Sequence, residues 1–130
     1  MTKVEHIKYW VETSEKDFQR AELLFREKDF VFALFCLHLV LEKLLKANWV
    51  KNNISNDAPR IHNLLKILSE TNLKLNADEQ LFLNEMNKYQ LEGRYPDYKR
   101  KLISQINLNF TTELFSQAKI LIECFKKNLQ

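Results

Sequence analysis

The chain has 130 residues, 45% of them hydrophobic with nine phenylalanines, and 20 basic against 17 acidic residues for a net charge of +3. So much apolar surface excludes a disordered chain and is enough for one core without disulfides or metals, so a single domain over residues 1–130 is expected. One glycine and two prolines exclude the glycine-rich loops that cradle phosphates or dinucleotides, and the mixed charge does not by itself imply nucleic acid.

Apolar or small residues recur at Val4, Ile7, Val11, Ser14, Phe18, Ala21 and Phe25, a spacing of three and four that predicts a long amphipathic helix ending near Lys28. Thr2 with Glu5 three positions on marks its start, because each side chain can satisfy the other's free backbone amide. Asp29 can cap a second helix running to about Lys51. Its "FVFALFCLHLVLEKLLKANWV" is apolar on almost every side, as in a central helix or one shared with a second subunit. "KNNISNDAPR" reads as a loop, and "IHNLLKILSE" as a short third helix with Ile61, Leu64, Leu65 and Leu68 on one face.

Asn76 with Glu79 predicts the start of a fourth helix through "ADEQLFLNEMNKYQLE", with Phe82, Met86 and Tyr89 as its stripe. Gly93 and Pro96 are its stop signal. "KLISQINLNF" reads as loop, and Thr111 opens a last helix with Leu114, Ala118, Leu121, Phe125 and Leu129 in line. Five helices with short connections give an all-α antiparallel up-and-down bundle of four to five helices. No stretch reaches the ~18 apolar residues of a membrane span. "MTKVEHIKYW" lacks the apolar core of a secretory signal, so a cytoplasmic protein without membrane contact is expected.

Cys36 and Cys124 sit in apolar helical runs and read as core filling. Cys36 and His38 would point about 200° apart on a helix, which argues against zinc, and no metal or cofactor is expected. His38, Glu42 and Lys46, at i, i+4 and i+8, form a polar stripe on the apolar second helix. That stripe reads as a solvent line or a set of pairs across a dimer contact. The sharper readings are a ligand contact, or His38 and Glu42 as an acid and base pair. His62 follows Arg60 at the start of the third helix, either as part of an anion site or as an exposed, locally hydrogen-bonded side chain.

"YQLEGRYPDYKRK", from Tyr89 to Lys101, holds three of the four tyrosines, the sole glycine and four basic residues. Termination explains Gly93 and Pro96 but not Arg94, Tyr95, Asp97, Tyr98, Lys99 and Arg100. Cations pair with phosphates and tyrosine rings offer faces on which a base can stack, so the cluster suits a nucleotide or a single strand. The alternative is that Tyr95 and Tyr98 pack the end of the bundle while Arg94 pairs with Asp97 or Glu42.

In order and spacing, "LLFREKDFVFAL", "CLHLVLEKLLKANWV", "PRIHNLLKIL" and "YQLEGRYPD" resemble the HEPN domains of prokaryotes. The likeness is to the small stand-alone kind encoded beside a minimal nucleotidyltransferase. The resemblance implies a helical bundle, usually a homodimer, that binds a nucleotide or a separate nucleotidyltransferase chain in toxin and antitoxin pairs. Some members are metal-independent RNases, with an arginine, about four to six intervening residues and then a histidine. Here the histidines are His6, His38 and His62. Arg60 precedes His62 by only two positions and no histidine follows Arg94, so binding is expected rather than catalysis. An RNase with an altered site, using His38 or His62 with Arg94, is one alternative, with RNA as its substrate. A helical interaction module with no ligand is the other.

Overall fold

The computed structural model describes residues 1–90 and 103–130. They form a helical bundle: α1 (Lys3–Arg26), α2 (Phe30–Asn52), α3 (Leu64–Leu68), α4 (Ala77–Met86) continued by a 3-10 turn (Asn87–Tyr89), and α5 (Leu108–Lys127). Among the described residues no helix is long and apolar enough to cross a membrane.

The caps lie where the local chemistry puts them. Thr2 and Glu5 close a reciprocal capping box on α1, Asn76 and Glu79 do the same on α4, and the Asp29 carboxylate accepts from Phe32 N at the start of α2. Lys28, at φ 64, turns the chain from α1 into α2. Its amide donates to Phe25 O and that of Asp29 to Leu24 O, closing the last orphan carbonyls. α5 opens earlier than Thr111, because Asn107 caps it by accepting from Phe110 N. Leu108–Phe110 are therefore helix rather than loop, and Thr111 is buried inside the first turn with its hydroxyl on Asn107 O. The third helix is shorter than its apolar pattern, because Asn63 supplies the cap two residues after Ile61.

Apolar nearly all round, α2 runs through the middle, and Leu34, Leu37, Leu41, Leu44 and Leu45 are fully buried on it. Ala21 of α1, Leu64 and Ile67 of α3, Phe82, Leu83 and Met86 of α4, Tyr89, and Leu114, Phe115, Ala118, Leu121, Ile122 and Phe125 of α5 complete the same core. The girth of α2 is thus covered from within the chain, and a second subunit is not what buries it. On α1 the stripe frays at its outer end, where Val4 is exposed.

Polar contacts fix the ends of α2. Lys3 Nζ donates to Val50 O and Asn53 O, both at 2.6 Å, placing a cation at the negative end of the helix. Buried Asn48 donates to Phe125 O at 3.2 Å and accepts from Asn128 at 2.7 Å, and Asn128 also donates to Asn72. This asparagine chain ties the C-terminus of α5 to α2, and its buried end at Asn48 is the part costly to lose.

Candidate functional site

Two polar faces of α2 carry charge into the interior, about 100° apart because successive residues turn by that angle. The first is the stripe of His38, Glu42 and Lys46. It is not a solvent line: all three are buried, His38 completely. Lys46 Nζ donates to Glu42 Oε2 at 3.0 Å, and the same ammonium lies 5.5 Å from the centre of the Trp10 ring of α1. A buried carboxylate is tolerated here because a cation one helical turn away compensates it.

The other Glu42 oxygen is taken by a residue from the loop. His62 Nδ1 lies 3.0 Å from Glu42 Oε1. A carboxylate only accepts, so Nδ1 carries the proton. The His62 side chain is 50% exposed, whereas that of Glu42 is 6% exposed. The backbone after His62 is held by a pair of asparagines: Asn63 Oδ1 accepts from Lys66 N and from Asn87 Nδ2, and Leu64 N donates to Asn87 Oδ1. These bonds use the amides of Leu64 and Lys66 at the start of α3, and His62 lies before that helix rather than in its first turn. Arg60 is exposed.

His38 does not form the acid and base pair with Glu42. Its Nδ1 is 3.8 Å from Glu42 Oε1, beyond hydrogen-bond reach, and His62 holds that oxygen more closely. Among the described residues neither His38 ring nitrogen has a partner at hydrogen-bond geometry. Burial pushes this imidazole below its ordinary value. The Glu42 carboxylate, the His62 backbone and the Asn87 side chain pull it partly back, being near enough to act on its charge without forming well-aligned bonds. His38 is therefore biased toward its neutral form and has no exposed surface.

The second polar face meets α1. Asp17, nearly buried, accepts from Arg20 at 2.9 Å, and Lys43 Nζ lies 2.6 Å from its other oxygen. The latter contact is ionic, since Asp17 Oδ2 has no hydrogen bond of good angle. Cys36, two helical turns before Lys43, is buried beside this pair. Burial and then Asp17 push its thiol up, keeping it protonated as the core filler its apolar run predicts. A cleft of about 390 Å³ opens between α1 and α5, lined by Phe18, Val40 and Ile122 with Glu22 and Lys119. Val40 stands about 200° around α2 from Glu42, so this cleft is on the far side from the stripe.

The structure thus joins Glu42 to His62 and leaves His38 unengaged beside them. No helical period relates Glu42 to a residue 20 positions away in a loop, and the sequence carries no signal for that pair. The roles of Asn63, Asn87 and Trp10 are equally invisible before folding. Gly93, Pro96, Arg94, Tyr95, Asp97, Tyr98, Lys99 and Arg100 lie outside the described residues. Among the described residues no three His, Cys, Asp or Glu side chains are placed to hold a metal ion.

A family model described as HEPN domain matches residues 7–129, nearly the whole chain. No curated protein and no solved structure matches it.

Proposed function

The chain belongs to the HEPN domain family, and from that premise we propose a non-catalytic helical module, a single domain over residues 1–130, that binds a nucleotide. Arg94, Lys99 and Arg100 are its phosphate contacts, Tyr95 and Tyr98 its stacking faces, Asp97 a hydrogen-bond acceptor, and His62 lies at its edge. A homodimer and a separate nucleotidyltransferase chain complete the reading, as a toxin and antitoxin pair of cytoplasmic proteins.

One observation carries the non-catalytic part: the buried carboxylate is already engaged on both oxygens, by Lys46 and His62, while His38 is closed off from solvent. An acid or base must come within about 2.6–3.2 Å of the proton it moves, and His38 has no such access. The sequence also lacks an arginine and histidine at the spacing of the RNase members. The binding part is supported by the surplus of cations and tyrosines after Gly93, which helix termination leaves unexplained.

Calorimetric titration with ATP and GTP tests this. Binding is expected, weakened about tenfold in Arg94→Ala and in Tyr95→Ala, the loss of one charge-assisted bond or one stacking face. No binding, or binding unchanged in both variants, overturns it. Light scattering checks the dimer, and a monomer at high micromolar concentration removes that part. A second reading is favoured by one feature, the His62 ring held by a buried carboxylate as a general base is. RNA cleaved without added metal, and left intact by His62→Ala, would put an RNase in place of the binding module.

A further inference from the structure

Resting on the nucleotide reading, we infer that Glu42 and Lys46 are positioning residues that present the Nε2 edge of His62 to a phosphate oxygen of the bound nucleotide. The two nitrogens of an imidazole lie on different edges of the ring. With Nδ1 turned inward to Glu42 Oε1 at 3.0 Å, Nε2 faces away from the core on a half-exposed ring. It makes no hydrogen bond among the described residues.

The support behind this ring is more than stability requires. Apolar residues of similar volume serve a helix interior as well as a buried ion pair, or better, so Glu42 and Lys46 call for another reason to be there. Their charges cancel, at 3.0 Å. His62 is consequently not needed to neutralise the carboxylate, and in a doubly protonated ring Nε2–H is a donor to an anion. Among the described residues, Glu42 holds its Nδ1, Lys46 takes the other Glu42 oxygen and His38 lies close by on α2, while Arg60, two positions before it, is exposed. The backbone is fixed on the following side through Asn63, Leu64 and Asn87.

Ring-nitrogen NMR on the wild-type protein tests the orientation. Neutral His62 is expected with its proton on Nδ1, the minor form of free histidine, and a proton on Nε2 overturns the inference. The variant Glu42→Gln with Lys46→Met removes both charges together and should release this preference.

ATP titration of two His62 variants separates a ligand contact from a structural one. Asparagine reproduces Nδ1 and can keep the Glu42 bond, while glutamine reaches to where Nε2 lies. His62→Asn should lose affinity about tenfold, and His62→Gln should retain most of it. A purely structural role gives the opposite order. ATP bound equally by wild type and His62→Asn, with Arg94→Ala weakened, overturns this inference and leaves the nucleotide reading standing. ATP not bound by the wild type overturns the nucleotide reading, and the inference with it.

Discussion

Asp17 and Glu42 are both carboxylates buried against α2, and they are stabilised in different ways. Asp17 is a strut between two long helices: its cations, Lys43 and Arg20, have side chains 23% and 63% exposed, and both can return to water if the carboxylate is lost. Glu42 is enclosed with Lys46, whose side chain is only 7% exposed, and its other oxygen meets the half-exposed His62 ring. The contrast teaches that one buried charge can close a packing contact while another is connected to the surface.

Removing Lys46 should break the comparison most visibly. Lys46→Met leaves the Glu42 carboxylate inside without its cation, and a loss of about 3–5 kcal/mol in urea unfolding is expected. Adding Glu42→Gln should restore most of that loss, because no charge is then left uncompensated; a double variant as unstable as the single one would contradict this account. Asp17→Asn should cost less, about 1–2 kcal/mol, since its partners rehydrate. Equal losses at the two sites would remove the distinction.

Acidification sharpens it further. His38 lies beside Glu42 with its folded pKa lowered by burial, so below the ordinary value near 6.5 the unfolded chain binds a proton that the folded chain refuses. The stability His38 contributes is therefore whole above that value. It is lost as pH falls toward the lower folded pKa, at no more than about 1.4 kcal/mol per pH unit. Unfolding curves at several pH values should show this slope in the wild type and a shallower one in His38→Gln. His62→Asn should have the smallest effect on stability, about 0.5 kcal/mol or less, because its ring is half in water and screened.

Much of the fold was legible before any coordinates. Thr2 with Glu5 and Asn76 with Glu79 mark helix starts by local chemistry that needs no tertiary partner, and the three-and-four spacing of α5 predicts its buried face. The site was legible only as a set of residues. His38, Glu42 and Lys46 stand out as polar positions on an apolar helix, but helical pitch aligns His38 with Glu42 while packing pairs Glu42 with His62. Local capping also decided where the pattern misled: Asn107 opens α5 before Thr111, and Asn63 shortens α3.

By itself, then, the sequence determined an all-helical chain with an α2 apolar on almost every side, because periodicity and capping act over a few residues, and its motifs carried the family resemblance. Whether α2 is covered by its own chain or by a partner, and which imidazole meets the buried carboxylate, only the tertiary structure decided. Those are contacts between segments 20 or more residues apart, set by how the helices close around a common core.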